Sequence, residues 1–482
     1  FPSSGTVIIG TELITYSSKS GNTLSGLARG ASGTTAASHS SGATVTDAST
    51  YAGWGAAPSG DIITAPGLWA LDNFGNTLIA TIFSGETFTW SSDATNATNT
   101  RAALASGAPT ASRDMLVSTP DRHLVFFGTE TTIGTKSTQD QMFIRFSSQE
   151  DITDYTPTAT NSAGTQRLAD GSRIMGALRG RNAIYVWTDT ALFLMRFVGA
   201  PFTFAFEQVG TNCGLIGKNA AVEVDGTVYW MSENGFFRYS GQLESMPCLV
   251  EDFVFDDINV VTKQHINAGL NNLFGEISWF YVSSGSNTVN RVVTYNYLDS
   301  TSDRPVWTTG TLDRTAWADS AIFGKPHATQ YDTTTNGTAG TATYVQGNSD
   351  GVSIYYEHET GLNQVKEGAE SAIAANIESG DFDISRGEGG GADLRGDGEY
   401  MMRISRVIPD FLSQTGDATV TLNLRDFPTD TEVSSSLGPF TVTTSTQKID
   451  TRARARAVAL KISNTSTGQF WKLGTFRLDI KA

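Results

Sequence analysis

The chain has 482 residues, of which 39% are hydrophobic and 17% charged, with a formal net charge of −16 and a pI near 4.7. This length allows large buried cores and more than one domain, whereas so few Lys and Arg residues argue against tight wrapping of nucleic acid, whose phosphates need cations. Two cysteines exclude a disulfide framework and are expected to be free thiols rather than one bridge. The sequence contains no run of 18 apolar residues, the length that a membrane-spanning helix would need.

Residues 1–50 are predicted to form a small β module. Two short apolar segments flank Gly10, a turn is expected at Ser20-Gly-Asn22, and another strand is expected at Gly42–Val45. The chain begins at Phe1 without Met. It has no charged segment followed by an apolar one, the pattern of a signal peptide, so none is predicted. Because the module is too small for a large core, we expect it to dock on another surface.

A twelve-residue phrase occurs twice, 44 positions apart, at 184–195 and 228–239. Each copy has an apolar segment, a hydroxyl residue followed by an acid, a small residue and a second apolar segment. This pattern predicts a strand, a tight turn and a strand. A period of about 40 to 50 residues built from strands is typical of β-propeller blades, which bury their faces only by packing against one another.

Residues 51–365 are therefore predicted to form a β-propeller of about six blades, with five or seven as alternatives. Frequent Gly and other turn residues support an all-β fold, and the aromatic segments at 202–206 and 279–281 are expected to lie in its core. Polar insertions at 129–140 and 333–340 are expected to be loops at blade edges. The corresponding strands are expected to start near these residues: Leu78, Leu124, Ile184, Val228, Ile277 and Thr341.

Residues 366–482 are predicted to form a C-terminal β-sandwich-like domain. A short helix or a linker is expected within 360–377, and a Gly-rich loop at 385–398. Strands are expected at these segments: Tyr400–Val407, Ala418–Leu424, Phe440–Thr443, Val458–Ile462 and Phe476–Ile480.

An ordered series of unusual segments resembles a family of phage proteins. The series runs over residues 115–260 and includes Phe143–Thr158, Phe197–Phe202, Val209–Gly214 and Tyr229–Ser232. It is similar to the tail hub, or nozzle, proteins of short-tailed bacteriophages, also described as packaged-DNA stabilisation proteins. The segments at 10–16 and 29–39 resemble a small module of phage tail proteins, and those at 408–410, 451–456 and 471–479 resemble β domains of phage structural proteins.

The resemblance implies a fold, an assembly and a set of partners. Such hubs look like β-propellers with added β domains that assemble as sixfold rings below the portal adaptor, the head-to-tail connector. The implied partners are other copies of the chain, the adaptor, and tail needle, fibre or spike proteins. Double-stranded DNA would pass through the lumen without sequence-specific binding, and the protein would reside in the virion tail after assembly in the bacterial cytoplasm.

Arg452, Arg454 and Arg456 are the candidate contact residues. They alternate with alanines, so in a strand they would share one face. A row of guanidinium groups suits a carboxylate-rich partner or a subunit interface. The alternative is an exposed edge strand whose charges prevent aggregation.

Residue patterns for catalysis or metal binding are weak. The five histidines, at positions 39, 123, 265, 327 and 358, lack metal-ligand spacing, and His39 and His358 are expected to bond to the backbone. The adjacent acids at 150–151, 251–252 and 256–257 would point to opposite faces in a strand, unlike the two carboxylates of a glycosidase. The acidic loop at 381–397 lacks known Ca²⁺-ligand spacing, although its oxygens could hold that ion. No catalytic, cofactor-binding or metal residue is predicted, nor is any cofactor.

The sequence thus favours a structural, non-enzymatic subunit of a phage tail hub that continues the DNA conduit and helps to retain and release packaged DNA. The alternative is a receptor-binding or glycan-cleaving propeller of the tail. Because DNA must slide, the ring lumen is expected to be acidic, with the three arginines placed away from it.

Overall fold

The computed structural model describes residues 1, 3–31, 34–47, 68–91, 102–119, 121–181, 183–332, 352–366, 369–384, 400–427 and 433–481. Two compact units divide the chain, Phe1–His358 and Glu359–Ala482. The described residues are mostly strands, with two short α-helices, α1 (Glu251–Asp257) and α2 (Ser320–Phe323), and two 3-10 turns, Lys136–Thr138 and Lys263–His265. None of the described helices is both long and apolar enough to cross a membrane.

The N-terminal module is a small sheet with a hairpin. The sheet has the order β2-β1-β5, and the hairpin pairs β3 with β4. Gly10 has a positive φ of 60° in the two-residue turn between β1 and β2, as the predicted turn requires. The strands are β1 (Gly5–Ile9), β2 (Glu12–Tyr16), β3 (Ser18–Ser20), β4 (Thr23–Ser25) and β5 (Val45–Asp47).

Six antiparallel sheets follow in chain order, five with four strands and the last with three. Within each sheet, every strand pairs with the next one along the chain. The first three sheets contain β6 (Trp69–Phe74), β7 (Thr77–Ile82), β8 (Thr87–Ser91) and β9 (Ala103–Leu104); β10 (Asp114–Val117), β11 (Leu124–Phe127), β12 (Phe143–Phe146) and β13 (Gly164–Arg167); and β14 (Ile174–Arg179), β15 (Ile184–Thr188), β16 (Ala191–Gly199) and β17 (Thr203–Thr211).

The remaining three sheets repeat this meander. They contain β18 (Ala221–Val224), β19 (Thr227–Ser232), β20 (Gly235–Tyr239) and β21 (Leu243–Met246); β22 (Asn267–Asn271), β23 (Glu276–Tyr281), β24 (Arg291–Asn296) and β25 (Trp307–Gly310); and β26 (Ala316–Ala318), β27 (His327–Asp332) and β28 (Val352–Glu357). Consecutive sheets touch through their first strands, from β6 to β10 and onward to β26. This is the arrangement of a β-propeller, and the six sheets are its blades 1 to 6.

The repeated phrase occupies the same place in two successive blades, as predicted. In blade 3 it forms β15 and β16, and in blade 4 it forms β19 and β20, the second and third strands of each sheet. Five of the six expected strand starts likewise fall in second strands, β7, β11, β15, β19 and β23. Thr341 lies outside the described residues, and the second strand of blade 6 is β27.

Apolar cores lie between consecutive blades, which explains why no blade is complete alone. The largest core joins blades 3, 4 and 5 around Trp187, Trp230 and Trp279, all fully buried. Two of these indoles also tie chain segments together: Trp230 Nε1 donates to the Cys213 carbonyl at 2.8 Å, and Trp279 Nε1 donates to the Ala220 carbonyl at 3.0 Å. A buried indole that lacked such an acceptor would retain its desolvation penalty.

Buried polar contacts tie the first strands of neighbouring blades. Asp114 in β10 accepts a hydrogen bond from the Ala177 backbone N–H of β14 at 2.9 Å. Its other carboxylate oxygen lies 3.1 Å from Lys218 Nζ, and both side chains are buried. Asp72 in β6 accepts from the Val117 N–H of β10 at 2.8 Å. These contacts fix the spacing of the blades independently of apolar packing.

The C-terminal unit is a β-sandwich, as predicted. Its two main sheets have the orders β31-β37-β34-β35 and β36-β32-β39, and two hairpin pairs, β29-β30 and β33-β38, accompany them. Residues of both sheets, including Ile404, Val420 and Val458, share one apolar core. The strands are β29 (Asn363–Lys366), β30 (Ala369–Ala372), β31 (Asn376–Glu378), β32 (Met402–Ile408), β33 (Phe411–Thr415), β34 (Ala418–Arg425), β35 (Ser435–Val442), β36 (Ile449–Ala455), β37 (Ala457–Ser463), β38 (Phe470–Leu473) and β39 (Arg477–Lys481).

Three local expectations were wrong. The expected helix or linker within 360–377 contains strands β29, β30 and the start of β31. The acids at 251–252 and 256–257 lie on helix α1, and those at 150–151 lie in a loop, so the strand argument does not apply to them. Phe202, expected in the core, is 77% exposed because it sits at the tip of the β16–β17 hairpin.

Candidate functional site: a basic face on the C-terminal unit

The candidate arginines lie on and just beyond an edge strand of the sandwich. Arg452 and Arg454 are exposed on β36, whereas the alternating residues Ala453 and Ala455 are buried in the core. The predicted shared face is therefore confirmed for these two arginines. Arg456 follows the end of β36 and is half-buried, and its backbone N–H donates to the Arg425 carbonyl at 3.0 Å.

Strand pairing extends this row across the whole sheet. Arg454 is directly opposite Arg403 on the central strand β32, and Arg403 is directly opposite Lys481 on β39. Residues directly opposite one another in a sheet point to the same face, and like charges there are destabilising. We call the four exposed cations the basic face: Arg403, Arg452, Arg454 and Lys481.

A second part of the same sheet shows what a neutralised arrangement looks like. Arg406, beyond a register shift in β32, donates to Asp450 at 2.8 Å and lies 3.7 Å from Asp479. Lys448 also forms an ion pair with Asp450, so the two cations and two carboxylates of this cluster balance in charge. By contrast, no residue of the basic face forms an ion pair with another described residue. The sheet therefore keeps an unbalanced row of cations, which a partner carboxylate would stabilise.

Sequence reasoning missed Arg403 and Lys481. They lie 49 and 29 residues from Arg452 and belong to no local pattern, so only the pairing register brings them beside Arg454. The register shift between Ile404 and Arg406 decides which arginine of β32 faces the row. A bulge of this kind gives no sequence signature of its own.

Charge is distributed unequally between the two units. The first 358 residues carry 32 acidic and 19 basic side chains, a net charge of −13, whereas the last 124 carry 17 and 14, a net charge of −3. The basic face therefore lies in the unit that is nearly neutral, while the propeller-containing unit is strongly acidic. Such an asymmetry favours contacts between unlike parts of two molecules.

Asp121, His123 and Ser162 form a hydrogen-bonded series that resembles the order of a nucleophilic triad. His123 Nδ1 lies 2.8 Å from Asp121 Oδ2, and its Nε2 lies 3.2 Å from Ser162 Oγ. Although burial raises the pKa of Asp121, hydrogen bonds from His123 and Ser118 hold it below its ordinary value. The imidazole is fully buried among phenylalanine rings. Ser162 Oγ also accepts the Gln149 N–H at 2.8 Å. The series therefore fixes loops at one edge of blade 2.

The two histidines expected to bond to the backbone contact side chains instead. His39 Nε2 donates to Glu12 Oε2 at 2.8 Å, and His358 Nε2 accepts from Arg314 Nε at 2.9 Å. Among the described residues, no three His, Cys, Asp or Glu side chains converge as a metal site. Cys213 and Cys248 are free, as predicted. Most of the candidate Ca²⁺ loop, residues 385–397, lies outside the described residues.

No protein-family model and no curated protein matches the chain. Among solved structures, the dihydro-heme d1 dehydrogenase NirN matches at 11% identity over 60% of this chain, with a TM-score of 0.33, and the chain spans only 55% of NirN. BamB from Moraxella catarrhalis matches at 12% identity over 60% of this chain and 84% of its own, with a TM-score of 0.29. The WD40 domain of SCAP from fission yeast matches at 11% identity over 64% and 79%, with a TM-score of 0.30. Scores this low carry no argument about function.

Proposed function

We propose that the protein is a structural subunit of a bacteriophage tail hub, a ring that continues the DNA conduit below the portal adaptor. The proposal starts from the resemblance of residues 115–260 to nozzle proteins. The observation that best supports it is the basic face, four exposed cations of which three lie directly opposite one another, in an otherwise acidic chain. Cations kept together at a destabilising register suit a permanent contact with carboxylates.

In this proposal the protein acts by assembly. A ring of identical copies is a closed cyclic oligomer, most simply the hexamer that the resemblance implies. The adaptor would bind above the ring and a needle, fibre or spike protein below it. The strongly acidic unit would repel DNA phosphates, so a duplex could pass through the lumen without being held. The protein would retain and release packaged DNA by opening or blocking that path.

The proposal is tested by the mass of the purified chain under native conditions. We expect a closed ring, with six copies as the favoured number, either for the chain alone or after addition of its adaptor. A chain that stays monomeric at high concentration under both conditions would contradict the proposal. Turnover of bacterial surface saccharides by that monomer would instead favour a glycan-cleaving tail protein.

A further inference from the structure

The connection between blades 4 and 5 carries an unusually exposed apolar surface. Four large side chains within thirteen residues are mostly in solvent: Leu249 at 65%, Phe253 at 54%, Val260 at 72% and Val261 at 86% exposure. We call residues 249–261, which include helix α1, the ridge. A dense group of this kind on a folded surface is typical of a protein contact site.

The ridge is anchored to the propeller although its outer face is exposed. Val254 of α1 is fully buried in the large core of blades 3 to 5, and Ile258 is also buried there. The Asn259 N–H donates to the Val282 carbonyl at 2.9 Å, which attaches the end of the ridge to blade 5. An ordered apolar surface loses little conformational freedom on binding, so it can contribute its burial to affinity.

The ridge is also acidic. It contains four carboxylates and no cation, and Asp257 lies 3.5 Å from Arg291. Asp252 and Asp256 are exposed, lie four residues apart on one side of α1, and form no ion pair with another described residue. Asp256 also lies near the helix C-terminus, where negative charge is unfavourable. The ridge thus offers apolar contacts beside carboxylates that lack cations.

We propose that the ridge of one copy docks on the basic face of the C-terminal unit of a second copy. This inference rests on the proposed ring and names the two surfaces that would form it. Asp252 and Asp256 would pair with cations of the row Arg454, Arg403 and Lys481, while the exposed apolar residues of the ridge are covered. Charged pairs would set the orientation, and apolar burial would supply most of the affinity.

Charge determines which pairing of copies is allowed. A contact of ridge with ridge would oppose carboxylates, and a contact of basic face with basic face would oppose guanidinium groups. Only ridge with basic face joins opposite charges. Because these are different surfaces of the same chain, the contact is head-to-tail, the kind of contact that closes a ring when the rotation between copies divides a full turn evenly.

Charge reversal on each surface tests the inference. Asp252→Lys with Asp256→Lys replaces two carboxylates of the ridge by cations, and Arg403→Glu, Arg452→Glu and Arg454→Glu together change the formal charge of the basic face from +4 to −2. Each of these two variants of the full chain should raise the concentration at half-assembly by about 100-fold, because like charges then meet at the contact. The matched control is Asp299→Lys with Asp303→Lys, which reverses two exposed acids in another blade 5 loop and should assemble normally.

Restoration makes the test independent of folding defects. A mixture of the two reversed variants should form rings in which they alternate, which an even number of subunits permits. The chain that carries all five substitutions should also assemble, since opposite charges then meet at the contact again. Native mass spectrometry distinguishes the alternating ring by its composition.

Three outcomes decide the inference. Loss of assembly with each charge reversal, followed by its recovery in the mixture, supports the inference. If both reversed variants form rings as the wild type does, this contact is overturned but the proposed ring still stands. A wild-type chain that never assembles, with or without its adaptor, overturns both proposals. If assembly is lost and does not recover in the mixture, although the variants keep their circular dichroism and melting temperature, the two surfaces bind different partners. That result also overturns the contact.

Discussion

At the scale of single residues, Glu12 organises the N-terminal module. Its fully buried carboxylate accepts two hydrogen bonds from Arg29 at 2.6 Å and one from the Ala37 N–H at 3.0 Å. The Arg29 guanidinium, supported by the Ala37 N–H and His39, holds the pKa of Glu12 far below its ordinary value. One acid thereby connects segments 25 residues apart in a module with few buried apolar side chains.

Glu12→Gln should open this module. The amide cannot neutralise Arg29, so we expect trypsin to cleave after Arg29 about tenfold faster at pH 7. Because the pKa of Glu12 is lowered, its stabilising effect is present above the unfolded pKa and is lost only as pH falls through the lower folded value. Wild-type protection should therefore persist at pH 5. The control is Glu150→Gln, which removes an exposed ion pair with Arg122 and should leave cleavage unchanged.

His358 gives blade 6 a dependence on pH. Burial and the neighbouring Arg314 cation lower the pKa of His358 to about 4, and its Nε2 must be unprotonated to accept the Arg314 hydrogen bond. The folded pKa lies below the unfolded one, near 6.5. Stability is therefore complete above pH 6.5 and falls as the pH decreases toward 4.

We expect this group to remove about 2 kcal/mol of stability by pH 4, a value reduced for its partial exposure. His358→Gln keeps an acceptor for Arg314 but cannot be protonated, so it should flatten that part of the pH profile. Urea unfolding at pH 7, 5 and 4 measures the difference from wild type. An identical decrease in both proteins would show that other groups cause it.

At the scale of elements, close packing between first strands holds neighbouring blades together. A Cβ added at Gly269 in β22 would lie 2.6 Å from the Trp317 ring of β26. That ring cannot move easily, since it stacks on Phe280 and donates to the Leu270 carbonyl at 2.8 Å. The absence of a side chain at Gly269 is therefore what allows blade 6 to approach blade 5.

Gly269→Ala should destabilise the propeller by about 1–3 kcal/mol through overpacking. Gly310→Ala is the matched control in the same blade. A Cβ there would meet only Val292, at an ordinary 3.5 Å, so this change should be neutral or slightly stabilising. Urea unfolding followed by tryptophan fluorescence compares the two variants. Equal effects would contradict the packing argument.

The sequence predicts central strands better than edge strands. The second strands of blades 1 to 5 are rich in apolar residues because both faces pack on neighbouring blades, and the expected starts at Leu78 and Leu124 fall on them. Short edge strands such as β9 have exposed residues and no such pattern. In the C-terminal unit the five expected strands are present, whereas β33 and β38 have mostly polar or half-exposed residues and were missed.

The candidate site was only partly predictable for a similar reason. Alternation within β36 is a local property, so it predicted that Arg452 and Arg454 share a face. The cations opposite them depend on pairing between distant strands and on a bulge. The ridge was missed because its acids were assigned to a strand, and exposure of Val260 and Val261 is a tertiary property that hydrophobicity alone does not reveal.

At the scale of the whole molecule, the arginines can be tested against the alternative that they only protect an edge strand. β36 is indeed an edge of its sheet. Replacing Arg452, Arg454 and Arg456 with Ser should weaken assembly while leaving the isolated chain folded. Native mass and circular dichroism measure the two properties. Normal assembly accompanied by increased aggregation would support edge protection instead.

The proposed ring also makes a prediction about DNA. Six copies would carry a formal charge of −96, and at physiological ionic strength this field extends about 8 Å from the surface. A bore only slightly wider than a duplex keeps DNA within that distance, so its acidic wall should repel phosphates. We therefore expect assembled rings to show no binding of a labelled 30-base-pair duplex by fluorescence anisotropy at about 150 mM salt.

Lower salt provides the internal control for this measurement. Any weak binding that appears there should decrease in the Arg452→Ser, Arg454→Ser variant, because the basic face holds cations directly opposite one another, where a phosphate could contact more than one. Tight binding by wild-type rings with a steep dependence on salt would mean that cations line the lumen. A lumen of that kind would hold the genome by its phosphates, and the argument for a sliding conduit would fail.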